Sequence, residues 1–351
     1  MRIYFFENVF LKVTIMYAFK GEILKMKKRN LLFLLAAPAL LVSCGGNSDE
    51  VIPTGETVSE TEASAHFKKA TESLVASDAL GMKLELNATS NISIKSTSGG
   101  YEMTGSSKSE VGVTLKAGVK GLREEKLSDV KASVTGELSM TAESETKVGG
   151  SNASSTTTSD SLKGNAALYI DEGYIYLDAE SLRPVLQIIA SMTGGEFDKY
   201  AILKRKESLV DKESDTNPIP AFLEQIEWDE MLAQLKETFS KELETIKTKA
   251  GDYAYVFKAD NSTLFGDASA DSSSADISGE TSFSVSFNDL GLTALGVRTN
   301  FVVDVSTDGY YTQKTEVEAS AKASFFYGDN VTVEEVPNPS SFTTPTAASA
   351  E

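Results

Sequence analysis

The chain has 351 residues, 41% hydrophobic content, a mean hydropathy of −0.16 and a formal net charge of −18. That length accommodates one large β-rich domain or two small ones, and the acidic balance excludes nucleic acid and repels bare anionic headgroups, since polyanions are bound through an excess of Lys and Arg. One cysteine rules out disulfides within the chain, and one histidine leaves little to build a structural zinc site or a Ser–His–Asp triad.

In chain order, residues 1–25 read as a translated leader ahead of a true start at Met26. Lys20-Gly21-Glu22 can be encoded by a purine-rich ribosome-binding run just upstream of that methionine. Detection of peptides from residues 1–25 in cells would contradict this reading. Met26-Lys27-Lys28-Arg29-Asn30 is a positive segment, residues 31–40 are almost purely apolar, and Leu41-Val42-Ser43-Cys44 follows. The apolar run is too short to span a bilayer and has the flanks of a signal peptide. The whole of residues 26–44 resembles the signal peptide and lipobox of bacterial lipoproteins. That resemblance implies cleavage before Cys44, diacylglycerol on its sulfur, and a protein held on the extracytoplasmic face of the cell membrane. Two or three acyl chains anchor stably where one is marginal. Residues 1–43 carry seven basic and two acidic side chains, so the remainder carries −23.

Residues 44–58 are polar and rich in helix breakers, as expected of a lipidated, flexible tether. A first helix is expected over residues 59–77, with Ala63, Phe67, Ala70 and Leu74 on one face. Period-two strands follow, with Leu84, Leu86, Ala88, Ile92 and Ile94 on one face, then Val111, Val113, Leu115, Ala117 and Val119, then Val130, Ala132, Val134, Leu138 and Met140. Gly136 and Gly279 are candidate bend points. Residues 166–178 predict a hairpin turning at Gly173. A second helix is expected after Ser181 as N-cap, with Leu182, Val185, Leu186, Ile189 and Met192 inward, ending at Gly194-Gly195. A short turn over residues 220–226 precedes a third helix, whose stripe is Trp228, Met231, Leu232, Leu235, Phe239, Leu243 and Ile246. A second meander closes the domain, with Phe283, Val285 and Phe287, then Val297, Phe301, Val303 and Val305, then Tyr311 to Tyr327 with Lys314, Glu316, Glu318 and Lys322 on the opposite face. Residues 149–160 and 260–276 are expected to be long loops, and residues 337–351 a disordered tail.

Helix, long meander, Tyr169-Ile170-Asp171-Glu172-Gly173-Tyr174-Ile175-Tyr176-Leu177-Asp178 hairpin, two helices and a second meander: this order resembles the half-barrel lipid-carrier lipoproteins, which include periplasmic lipoprotein carriers and mycobacterial lipid-binding lipoproteins. The resemblance implies an α+β domain over residues 59–336, a large curved antiparallel sheet with about three amphipathic helices on its concave face. It also implies an apolar cavity between them. Phe67, Leu186, Ile189, Trp228 and Phe239 are the candidate lining; their structural alternative is a filled core.

No nucleophile elbow, zinc signature, phosphate loop or dinucleotide fingerprint stands in a supporting context. His66 falls at the edge of the first helix's apolar stripe, as a boundary residue packing its ring. Asp260, Asp267, Asp271 and Asp276 lack the spacing of a calcium loop. Asn87, Asn91, Asn152, Asn261 and Asn330 head Asn-X-Ser/Thr triplets by composition alone. The sequence therefore points to a non-enzymatic lipoprotein without cofactor or metal. Its partners are the membrane, through Cys44, and a lipid or other hydrophobic molecule. The alternative is a structural or protein-interaction lipoprotein with a filled core.

Overall fold

The computed structural model describes residues 51–98, 101–149, 154–192, 195–198, 200–210, 215–238, 243–261, 274–307 and 311–344. The chain forms β1 (Gly55–Thr57), α1 (Glu60–Ala76), β2 (Ala79–Ser98), β3 (Tyr101–Lys120), β4 (Lys131–Val148), β5 (Ser154–Asp171), β6 (Tyr174–Asp178), α2 (Arg183–Met192), β7 (Lys204–Ser208), α3 (Ile219–Glu224), α4 (Trp228–Thr238), β8 (Leu243–Thr248), β9 (Tyr253–Asp260), β10 (Ser274–Asn288), β11 (Gly291–Thr307) and β12 (Tyr311–Tyr327). All twelve strands belong to one antiparallel sheet in the order β1-β8-β9-β10-β11-β12-β2-β3-β4-β5-β6-β7. The two edges are different strands, so the sheet is open: an α+β, half-barrel-like fold. β2 and β3 are each 20 residues long, about 65 Å at roughly 3.3 Å per residue.

Local chemistry accounts for the elements. Ser59 caps α1 by accepting a hydrogen bond from the Glu62 amide at 3.2 Å, and Glu60 and Glu62 sit in its first turn, where the helix dipole favours them. Its buried face is Ala63, Phe67, Ala70, Thr71 and Leu74. The β5–β6 hairpin turns through Glu172 (φ 49°) and Gly173 (φ 75°), the two positive φ values a two-residue hairpin turn requires. β10 and β11 slip register once, between Ser286 and Phe287. Gly136 does not bend the ladder, which runs unbroken through Leu115↔Gly136↔Ala166. Its missing side chain makes room instead, since a Cβ there would lie 2.6 Å from Leu115 Cδ2.

One expected helix, two expected loops and one expected helix cap are corrected. The third apolar stripe is not one helix: α4 ends at Thr238, and Leu243 and Ile246 belong to strand β8, paired between β1 and β9. Thr245 and Ile246 are both buried, so burial on both faces gave Leu243–Ile246 a spacing that also fits a helix. Residues 154–160, expected as loop, are the first part of β5 and pair with β4 through Val148↔Ser154. Their Ser/Thr side chains are β-compatible, and exposure on both faces removed the apolar alternation that signals a strand. Residues 274–276 likewise begin β10. Ser181 does not cap α2; its hydroxyl donates to the Asn165 carbonyl and accepts from the Asn165 amide at 2.7 Å, which ties α2 to β5.

Both chain ends of the domain pack on the sheet, correcting the flexible tether over its residues 51–58 and the disordered tail over residues 337–344. Val51 is buried, and Ile52 packs on Ile246, Ala254 and Val256. Gly55–Thr57 then adds β1 to β8. Gly296 makes this crossing possible: a Cβ there would lie 2.1 Å from the Val51 carbonyl oxygen. At the other end, the segment after β12 passes over Gly118 and Ser133. The Glu334 amide donates to Ser133 Oγ at 2.8 Å, and Phe342 is buried edge-on against Tyr176. Thr343 bridges Arg205 and so covers edge strand β7.

Candidate functional site

Pairing residues of an antiparallel sheet share a face, so the registers sort every side chain. One face carries Leu84, Leu86, Ala88, Ile92 and Ile94 of β2. Through the β12 and β11 registers it also carries Thr315, Val317, Ala319, Ala321, Val297, Phe301, Val303 and Val305. β2 and β3 pair in one register at both ends, Ala79↔Lys120 and Thr97↔Glu102. That puts Met103, Val111, Val113 and Leu115 on the same face, followed by Val148, Met140, Leu138 and Val134 of β4. Across β2, β3, β4, β10, β11 and β12 this face holds no charged residue. The charges of those strands lie on the other face and pair there, as in Lys83–Glu85 at 2.8 Å, Lys108–Glu110 at 2.7 Å and Lys95–Glu102 at 2.9 Å.

The uncharged face is covered unevenly. Over β9, β10 and β11, α1 seats Phe67 edge-on against Tyr255 and Phe287, with ring centroids at 5.9 and 5.2 Å. Ala63, Ala70, Leu74, Leu232, Phe257, Val285 and Leu292 complete a closed core. Burial there pushes the Tyr255 and Tyr327 phenols up to about 12. Over β3 and β4 the same face is open: Met103 is 44%, Val134 38%, Met140 39% and Val148 37% exposed. Gly105 and Ser107 of β3 border this open area, whereas the places beside Gly136 and Gly164 are taken by Leu115 and Leu182.

The five candidate lining residues do not converge on one cavity. Phe67 and Trp228 come together, but in the closed core under α1; the Trp228 indole nitrogen is buried there without an acceptor among the described residues. Leu186 is on α2, beside β5 at the opposite side of the sheet. Phe239 lies outside the described residues, as does the Ile189 side chain, although its backbone is in α2. Periodicity identified the buried face of α1 correctly but could not say which part of a wide sheet each helix covers. Two depressions of 640 and 590 Å³ lie at the far ends of β2, β3, β11 and β12 and are rimmed by Lys95, Lys108, Glu143, Asp304 and Lys314. Their walls mix polar and apolar surface, and they contain none of the five.

His66 packs its ring at the helix boundary as its position predicts, stacked on Tyr253 with centroids 4.1 Å apart. Its Nδ1 hydrogen-bonds Asp289, and Lys69 Nζ donates to the same carboxylate at 3.1 Å. His66 first, then Lys69, holds the Asp289 carboxyl below the usual carboxylate range. The trio fastens α1 to the β10–β11 turn. Asn261 is fully buried, with Nδ2 donating to the Asn300 carbonyl at 2.6 Å and Oδ1 accepting from Thr281. Among the described residues no group of three or more His, Cys, Asp or Glu is placed to hold a metal ion. Cys44, Asp267 and Asp271 lie outside the described residues.

No protein-family model matches the chain, and no curated protein matches it in sequence. Among solved structures, a β-barrel-like domain of unknown function (DUF1849) from Brucella abortus aligns over 67% of this chain and 98% of its own at 8% identity, TM-score 0.15. The translocator domain of the autotransporter NalP from Neisseria meningitidis aligns over 69% and 88% at 10% identity, TM-score 0.16. The β domain of the Bordetella autotransporter BrkA aligns over 72% and 99% at 9% identity, TM-score 0.13. These are weak likenesses to β-barrel-like chains, and at such TM-scores they carry no argument about function.

Proposed function

We propose that this chain is a lipid-anchored, non-enzymatic binding protein on the extracytoplasmic face of the cell membrane, tethered through Cys44. It holds a lipid or another hydrophobic molecule against the open part of its uncharged sheet face. One observation carries the reading: charge is wholly confined to one face of six neighbouring strands, while the opposite face is left open over β3 and β4 around Met103, Val134, Met140 and Val148. An antiparallel sheet with one wet face needs its other face covered. Where α1 covers it, the result is core; where no described helix does, a ligand that water excludes can complete the burial. The absence of charge on that face suits acyl chains or other neutral hydrophobic groups, with any polar headgroup left at the rim. Small residues at Gly105 and Ser107 leave space for it.

The test is native mass spectrometry with lipid extraction on the full chain purified from membranes. A co-purifying lipid near one per chain, lost in a Val113→Glu/Met140→Glu double variant that still folds, supports the reading. A bare mass with no uptake of added lipid or hydrophobic dye overturns it and favours a surface protein-interaction role.

A further inference from the structure

The edges of the sheet are treated unequally. Edge strand β1 is three residues long. Edge strand β7 reads Lys204-Arg205-Lys206-Glu207-Ser208 and is bridged by Thr343. Short, charged or covered edges are how sheet proteins avoid unwanted pairing. β5 is different. Its outer neighbour β6 pairs only with Ala167–Asp171, and Ser181 occupies the edge at Asn165. From Ser154 to Lys163 no described strand lies on that side, and Ser154–Ser161 is exposed throughout. This run, Ser154-Ser155-Thr156-Thr157-Thr158-Ser159-Asp160-Ser161-Leu162-Lys163, has no proline and no bulge against β4, and its first six residues are all Ser or Thr.

We infer that this free stretch of β5 is a self-pairing edge, where a second copy of the chain adds antiparallel about a two-fold axis at Thr158. Only registers that keep faces matched are open to it, because a one-residue slip turns every side chain over. Centred on Thr158, the register sets Thr156 against Asp160 and Ser154 against Leu162 of the other copy on the face continuous with the uncharged face of β4, where Asp160 is the one charge this stretch of β5 adds. On the other side it sets Thr157 against Ser159 and Ser155 against Ser161. No like charges meet, although the chain as a whole carries −18. The axis is perpendicular to the sheet, so both uncharged faces fall on the same side. Met140 pairs with Leu162 across the β4–β5 ladder, so the two open areas face the same way across a seam that carries the two Asp160 carboxylates. Among the described residues no strand pairs with β10 on that side at Ser274–Gly279, beyond the reach of β9. Pairing β5 with β10 of another copy would be head-to-tail and would propagate, whereas β5 with β5 closes at two. The surface is independent of ligand capture: a chain that binds no lipid still carries this edge.

The full chain in detergent provides the test. With Thr158→Cys, a short bismaleimide yields a covalent dimer on a denaturing gel, while Ser278→Cys on β10 and the unaltered chain do not. Thr158→Lys sets two lysine side chains directly opposite each other at the axis, with Cβ atoms roughly 5 Å apart. It converts the native mass from dimer to monomer while the folded chain keeps its circular-dichroism signal. The inference is overturned if Thr158→Cys stays monomeric, if crosslinks form only in mixtures of the Thr158→Cys and Ser278→Cys chains, or if the dimer survives Thr158→Lys.

Discussion

Phe67→Ala separates core from cavity. The ring is 4% exposed and meets Tyr255 and Phe287 edge-on, with Tyr253 stacked behind Phe287 at 6.3 Å. Removing a fully packed Phe side chain costs about 3–5 kcal/mol, combining lost transfer energy with the void left behind. The two edge contacts, worth about 0.5–1.5 kcal/mol each beyond area, place this site in the upper part of that range. For a domain of this size about 2 °C of melting temperature is lost per kcal/mol, so the midpoint should fall by roughly 8–10 °C in thermal melts followed by circular dichroism. Lipid or dye bound per folded chain should stay unchanged, because Phe67 is on the closed side. A variant that melts normally but loses ligand would refute this assignment and put Phe67 in a cavity wall.

The open side should respond in the opposite sense. Met140→Ser removes a side chain already 39% exposed, so stability should change by less than about 1 kcal/mol while dye uptake falls; a large stability loss would mean that Met140 is core. Gly118→Val should lift the C-terminal segment, since its Cβ would stand 2.0 Å from the Thr332 carbonyl oxygen. Limited proteolysis should then cut near residues 332–344 while the remaining sheet keeps its circular-dichroism signal. Stability should also decline in alkali. Tyr255 and Tyr327 ionise near 12 when folded but near 10 when unfolded, so protonation favours the folded state. That contribution is whole below pH 10 and lost as pH rises toward 12. Tyr255→Phe should flatten this decline in urea midpoints measured across that window.

The meander was legible wherever one face is apolar. Leu84 to Ile94 and Tyr311 to Tyr327 alternate so cleanly that their faces follow from pattern alone, and the register between the two strands puts those faces together. Gly173 marked its turn for the same local reason. Legibility ended where burial was two-sided or absent. In Leu243–Thr248 the adjacent Thr245 and Ile246 are buried on opposite faces, and the segment imitated a helical stripe, while Ser154–Asp160 is exposed on both faces and imitated a loop. The two end segments were hidden because their signal is non-local: Gly118, Ser133 and Gly296 are small so that Thr332, Glu334 and Val51 can lie on them. The candidate site was half legible. Its uncharged face could be read strand by strand, but the division between the part under α1 and the open part depends on where a 17-residue helix is laid across twelve strands.

That division has an energetic logic. The closed core under α1 collects Phe67, Tyr253, Tyr255, Phe257 and Phe287. Aromatic side chains of this kind bury 150–250 Å² each, and at roughly 25 cal/mol per Å² they contribute much of what a domain needs to outweigh chain entropy. The opposite wing is built from Val, Leu and Met among Ala, Gly, Ser and Thr, with little aromatic mass on the uncharged face of β3 and β4. Such a surface adds little stability when bare and gains most when something apolar is laid on it. Concentrating aromatic packing on one wing lets the other remain open without unfolding the domain. Substitutions in the two wings should therefore act additively, as expected for distant sites without shared partners. Phe67→Ala with Met140→Ser should show the full melting loss of the first and the full binding loss of the second. A double variant deviating from that sum by more than about 0.5 kcal/mol would mean that the wings are coupled, and that ligand on the open face is felt in the core.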